Sequence, residues 1–200
     1  MKFINRFAFA LTFLTRIPFP FNYEYDDSLP SRSMGLYSFI GFIIGLLLFL
    51  FDKLALKVLP ANISNILLLI LLVYLTGGLH LDGFIDSVDG LFSNRKKEKV
   101  LEIMHDSLVG SFGVIAVILL FIFKFLLFKE LSNDIRGAAL ILMPVISRWM
   151  VVFAAWKYPL SVSSSLGKGF NYKLGVKEII ESSIYLITVI ILINYFFSFS

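Results

Sequence analysis

Five apolar segments, residues 34–51, 63–79, 108–128, 137–156 and 179–199, constrain this chain more than anything else in it. Each holds about the ~17–25 residues that an α-helix needs to cross a bilayer. In hydrocarbon every backbone N–H and C=O must find its partner internally, so such stretches fold as spanning helices. Of the 200 residues, 58% are hydrophobic and only 16% charged, which is too little polar surface for a soluble domain of this length. The predicted fold class is therefore all-α, a polytopic helical membrane bundle of about five transmembrane helices. Pro30, Pro60, Ser132-Asn133-Asp134 and the serines between 161 and 165 mark its boundaries. No internal repeat or low-complexity stretch divides the chain, so residues 1–200 read as a single integral membrane domain. Cysteine is absent, which excludes disulfides, thiolate metal sites and cysteine nucleophiles.

The first twenty residues combine basic side chains with a short apolar stretch. No small-residue cleavage site precedes Arg16-Ile17-Pro18, and Phe3, Phe7, Leu11 and Leu14 share one helical face. This predicts a retained amphipathic helix lying in the membrane interface, with an uncleaved signal-anchor as the alternative.

The loops predict an orientation. Lys2, Arg6, Arg16 and Arg32 precede the first span, Arg95, Lys96, Lys97 and Lys99 separate the second from the third, and Lys157, Lys168, Lys173 and Lys177 separate the fourth from the fifth. The opposite side carries only Lys53, Lys57, Lys129 and Arg136. The positive-inside rule puts the N-terminus, the 80–107 region and the 161–177 loop in the cytoplasm, and the C-terminus outside. The net charge of +4 suits anionic headgroups or an anionic substrate.

Chemistry concentrates in Gly77-Gly78-Leu79-His80-Leu81-Asp82-Gly83-Phe84-Ile85-Asp86-Ser87-Val88-Asp89-Gly90. On a helix the three aspartates, at i, i+4 and i+7, fall within an arc of roughly 60°. Three like charges on one face repel, so the pattern calls for a cation, and a hard divalent ion such as Mg²⁺ suits carboxylate ligands. Asp106, in Met104-His105-Asp106-Ser107, supplies a fourth carboxylate at the start of the third span. The expected metal ligands are thus Asp82, Asp86, Asp89 and Asp106; the alternative is a solvated acidic helix face. Gly83 and Gly90 leave room for a ligand to approach the backbone, and Gly77-Gly78 permit a bend where the helix leaves the membrane. His80 faces away from Asp82 on an ideal helix and reads as an interfacial polar residue. Arg148 sits about midway along an apolar span, where an unpaired guanidinium is costly. It is a phosphate clamp, a partner of the aspartates, or half of a structural ion pair. Lys124 lies near enough to the end of its span to snorkel and is given no role. Gly41 and Gly45 form a GxxxG pattern, the mark of close helix packing.

With these residues in view, the chain resembles the cobalamin synthase family, the adenosylcobinamide-GDP ribazoletransferases. The resemblance rests on Phe13-Leu14-Thr15-Arg16-Ile17-Pro18, the 77–91 stretch, residues 104–113 and Ser147-Arg148-Trp149, in matching order. It implies a Mg²⁺-dependent transferase of the cytoplasmic (inner) membrane, with its aspartates facing the cytoplasm. Such an enzyme joins adenosylcobinamide-GDP to α-ribazole or α-ribazole 5′-phosphate. The products are adenosylcobalamin or its 5′-phosphate, and GMP. It further implies catalytic roles for Asp82, Asp86 and Asp89, with Asp86 or Asp89 accepting the proton of the attacking ribose hydroxyl. Arg16, His80, Gly83, Gly90, Ser107 and Arg148 become the expected substrate-binding residues.

Membrane lipid is an expected partner and nucleic acid is not; the oligomeric state is left open, a homo-oligomer included. Two departures stand out. The family pattern Met-Lys-Asp-Ser-Arg reads Met104-His105-Asp106-Ser107-Leu108 here, and the family's Gly-rich Thr-Gly-Asp segment is expected to be missing. The competing readings are a CDP-alcohol phosphotransferase-like lipid enzyme and a small cation transporter built on the acidic triad.

Overall fold

In the computed structural model, which describes residues 2–106, 108–158 and 174–197, the apolar segments lie in α-helices. In chain order these are α1 (Phe3–Leu14), α2 (Leu29–Ser33), α3 (Tyr37–Ala55), α4 (Ala61–Thr76) and α5 (Leu79–Phe92), then α6 (Lys97–His105), α7 (Ser111–Glu130), α8 (Asn133–Lys157) and α9 (Val176–Phe196). A 3₁₀ turn over Met34–Leu36 runs α2 into α3, so Leu29–Ala55 forms one 27-residue stretch. That stretch, α7, α8 and α9 are each long and apolar enough to cross a membrane, and α4 with α5 makes a fifth if the pair counts as one span. The all-α polytopic bundle expected from the sequence is what forms. Ser107 and most of the 161–177 loop, Lys168 and Lys173 included, lie outside the described residues.

One span differs from expectation. Residues 63–79 read as continuous, yet α4 stops at Thr76 and Leu79 already belongs to α5, which leaves at 93°. The cause is local. Gly77 and Gly78 have φ of +63° and +76°, a left-handed pair that reverses the course of the chain and that side-chain-bearing residues resist. At ~1.5 Å rise per residue α4 alone covers about 24 Å, short of a ~30 Å hydrocarbon core.

The bundle closes most tightly between α3 and α8. The buried stripe of α3 runs through Tyr37, Ile40, Gly41, Ile44, Gly45 and Leu48, at helical spacing. A Cβ at Gly41 would lie 2.6 Å from the Pro144 carbonyl oxygen, and one at Gly45 would lie 2.6 Å from that of Ile141. The two backbones therefore touch through the GxxxG face, as the sequence suggested. In lipid, where tails are as apolar as leucine, such close van der Waals contact is a principal source of helix association.

At the end of α3 a polar network ties four helices together. Arg136 of α8 donates from Nε and an Nη to the two carboxylate oxygens of Asp52, both at 2.8 Å. It also donates to Asn65 Oδ1 of α4 at 2.7 Å and to the Phe128 carbonyl of α7 at 2.8 Å. Ser64 adds a hydroxyl to Asp52 at 3.2 Å, and all four side chains are buried. From the sequence alone Arg136 has only a topological reading.

Helix α1 packs on α2 and α3 through Leu11 and Leu14, but Phe3 of the expected face is 54% exposed and stacks on Phe7 instead. Arg6 fixes this helix to α9 by an ion pair with Glu181 and donates to the Arg32 carbonyl at 2.9 Å. The outer faces of α7 and α9 are rich in exposed isoleucine, which a lipid environment accommodates.

Candidate active site

The hinge between α4 and α5 organises the site. Arg16, just past α1, donates its backbone N–H to the Leu75 carbonyl at 2.8 Å, satisfying one of the last free carbonyls of α4. Its side chain then lies over Gly77, where an added Cβ would come within 3.1 Å of the Arg16 Nε. Arg16, a substrate-binding candidate, thus sits beside the turn that launches the aspartate helix. It also lines a cleft of about 780 Å³ between α4 and α7, whose other walls include Leu69, Val73, Tyr74, Phe121 and Phe125.

The three aspartates of α5 occupy three different environments. Asp82, in the first turn, is exposed, and Gly83 beside it faces open space, as a ligand-accessible backbone should. Asp86 is half-buried one turn further on. Asp89 is 7% exposed, and its two carboxylate oxygens accept the N–H groups of Gly110 at 2.9 Å and Gly113 at 2.8 Å. Those donors are the open N–H groups at the start of α7, so Asp89 caps that helix and holds a negative charge against the positive end of its dipole. A Cβ on either glycine would run into the Asp89 carboxylate, so glycine at 110 and 113 is what leaves it room. Sequence reasoning missed this cap, although two glycines flanking the predicted start of a span were its signal. The structure also gives Gly90 a packing role, because the space of its Cβ is filled by Met104 and Val100 of α6.

Asp106 follows α6, is exposed, and takes the Leu108 N–H on Oδ1 at 3.1 Å. Among the described residues no three histidine or acidic side chains converge as a group that could hold a metal. The donor set fits Mg²⁺ in a narrower sense. Mg²⁺ keeps several waters and is commonly held by one or two carboxylates together with substrate phosphates, not by an all-protein cage. Asp82 and Asp86, one turn apart on α5, offer that two-carboxylate edge.

On the bundle side the charge is positive. Arg148 of α8 is only 6% exposed, and its Nε has no hydrogen-bond partner among the described residues. Its sole polar side-chain contact there is a long one, 3.4 Å to the Ser147 hydroxyl. Of the three readings open for Arg148, a structural ion pair finds no carboxylate partner among the described residues. His80 points its Nδ1 into the protein, where that atom too lacks a partner. Lys124 is half-buried, and the Arg148 charge reaches both it and His80. Local sequence assigns Lys124 no role, because the influence of Arg148 on it comes from another helix.

Comparison with known proteins agrees with this picture. The family model described as cobalamin-5-phosphate synthase matches residues 6–199. A Brevibacillus brevis protein named adenosylcobinamide-GDP ribazoletransferase is 40% identical over 183 residues, 90% of this chain and 74% of that protein. An Acetivibrio thermocellus protein of the same name is 36% identical over 196 residues, 97% of this chain and 79% of that one. A third, from Desulfitobacterium hafniense, is 37% identical over 174 residues, covering 86% and 68% respectively. No solved structure matches the chain. An all-helical membrane bundle with an acidic helix swung out at a glycine hinge, matched along nearly its whole length, belongs to the cobalamin-5-phosphate synthase family of transferases.

Proposed function

We propose that the chain transfers the cobinamide-phosphate group of adenosylcobinamide-GDP to α-ribazole, or to α-ribazole 5′-phosphate. The products are adenosylcobalamin or its 5′-phosphate, and GMP. The observation that carries this reading is the placement of Asp82 and Asp86 on a helix bent 93° away from the last turn of α4, in a chain whose buried Arg148 has no carboxylate partner among the described residues. Carboxylates on one side and cations on the other suit a diphosphate, whose oxygens need both metal and guanidinium contacts.

In the reaction a ribose hydroxyl of the acceptor attacks the phosphorus that carries the cobinamide. The new P–O bond forms as the bond to GMP breaks, and GMP leaves with that electron pair. Asp86 accepts the hydroxyl proton, since both oxygens of Asp89 are already committed to the cap of α7. Asp82 and Asp86 would hold Mg²⁺, which when bound neutralises charge on the transferred phosphoryl group and on the departing nucleotide. Arg16 and Arg148 orient the diphosphate, and exposed Gly83 lets the substrate lie against the backbone. Basic residues crowd positions 95–99, between α5 and the first turn of α6, which supports a cytoplasmic site where nucleotide substrates are found.

Mass spectrometry of the products tests the reading. Membranes containing the chain, given adenosylcobinamide-GDP, Mg²⁺ and either acceptor, should form adenosylcobalamin or its 5′-phosphate. No product with either acceptor, together with turnover of a CDP-alcohol, would move the assignment to the lipid enzyme.

A further inference from the structure

Arg148, His80 and Lys124 come from three different helices, and none of them has a carboxylate partner among the described residues. Arg148 is the most deeply placed, with a guanidinium that is more than nine-tenths buried and an Nε that makes no hydrogen bond. His80 of α5 contributes a buried Nδ1 that is equally unpartnered. Lys124 of α7 comes close enough for the Arg148 charge to act on it. The contrast with Arg136 is instructive. That arginine, just as buried, spends its donors on Asp52, Asn65 and the Phe128 carbonyl. This fold satisfies a buried guanidinium fully where the purpose is structural. A buried guanidinium with an open donor, and a lysine within reach of its charge, raise the free energy of the empty protein, and an anion lowers it.

We propose that His80, Lys124 and Arg148 form an anion pocket that takes a phosphoryl group of the guanine nucleotide, the one that leaves as GMP. Arg148 supplies a planar pair of donors matched to phosphate oxygens, Lys124 a mobile point charge, and His80 a ring nitrogen at the start of α5. The pocket lies on the bundle side of α5, across that helix from the exposed Asp82. A diphosphate bridging the two sides would meet metal and carboxylates at the transferred phosphorus and cations at the leaving one. Naming the nucleotide rests on the transferase reading; the anion pocket itself rests on the three side chains.

The test is equilibrium binding of radiolabelled GMP to the full chain in phosphatidylcholine nanodiscs, with EDTA present so that no metal bridges. Wild type should bind GMP, and Lys124→Gln and Arg148→Gln should each weaken binding by tenfold or more. Lys124→Arg should stay within about threefold. Lys129→Gln, which removes an exposed charge further along the same helix, should match wild type. Absence of GMP binding by wild type, or equal binding by monodisperse Lys124→Gln and Arg148→Gln, overturns the pocket. A second arm adds phosphatidylglycerol to the nanodiscs, because a lipid phosphate has the same chemistry. Unchanged GMP affinity supports the nucleotide, whereas phosphatidylglycerol that displaces GMP and is itself lost from Arg148→Gln overturns that assignment. Product formation by wild type is measured alongside. Failure of turnover with intact, Lys124-dependent GMP binding counts against the reaction and supports the pocket; turnover with GMP binding indifferent to both substitutions does the reverse.

Discussion

Replacing Asp89 by asparagine separates a structural carboxylate from a catalytic one. Asp89 Oδ2 accepts the Gly110 N–H at 2.9 Å and Oδ1 accepts the Gly113 N–H at 2.8 Å, in a site that is 7% exposed. An amide keeps one acceptor and turns the other position into an NH₂ group facing a backbone N–H. One hydrogen bond to a charged group, worth about 1.5–3 kcal/mol, is lost. The favourable charge at the N-terminus of α7 goes with it, at about 0.3–1 kcal/mol. The sum is roughly 2–4 kcal/mol, which for a chain of this size lowers the unfolding midpoint by roughly 4–16 °C. Thermal unfolding in detergent, followed by the loss of the monodisperse chromatographic peak, reads this directly. Asp82→Asn, at an exposed position, should unfold within about 2 °C of wild type. Hydrogen exchange at the Gly110 and Gly113 amides should quicken in Asp89→Asn alone. If Asp89→Asn melts with wild type and those amides keep their protection, the cap contributes nothing and the reasoning fails.

Other perturbations follow from the same packing. Gly45→Leu drives a side chain into the Ile141 backbone, where even a Cβ is 2.6 Å from the carbonyl oxygen, so α3 and α8 must separate. Overpacking of this kind costs about 1–3 kcal/mol or more, and the recovered yield of folded protein should fall sharply. Asp52→Asn strips the buried Arg136 of its counter-charge and should cost about 3–5 kcal/mol, while joint replacement of Asp52 and Arg136 by leucines recovers most of it. Thermal midpoints of the single and double variants decide this. Gly78→Val places a β-branched residue at φ +76°, where no neighbour lies within 4 Å, so its penalty is purely conformational. It should be about 1–3 kcal/mol, and Gly78→Asn should recover much of it.

What the sequence made legible was whatever depends on local pattern. The apolar runs predicted helices, Gly77-Gly78 predicted a bend, and Gly41 with Gly45 predicted close packing; each of these follows from residues near in the chain. The exact turn after Thr76 was not legible, because hydropathy runs smoothly through Leu79 while the direction of the chain depends on two glycine dihedrals. Pairings between distant residues were also out of reach. Asp52 and Arg136 stand 84 positions apart, and nothing in the local sequence pairs them until the fold does. Asp89 carried the same i+7 signal as its neighbours, yet the fold sends it under α7 while Asp82 stays exposed. Lys124 read as a snorkelling lysine because only the arrangement of helices around it shows Arg148 within range. Periodicity tells which face a residue occupies, and tertiary packing decides what that face meets.

The central claim is tested most directly by following GMP release from adenosylcobinamide-GDP in membranes holding the full chain. GMP should appear only when α-ribazole (or its 5′-phosphate) and Mg²⁺ are both supplied, stop when a chelator is added, and vanish in Asp82→Asn. Release that persists in chelator, or that Asp82→Asn leaves unchanged, contradicts an active site built on the exposed end of the hinged aspartate helix.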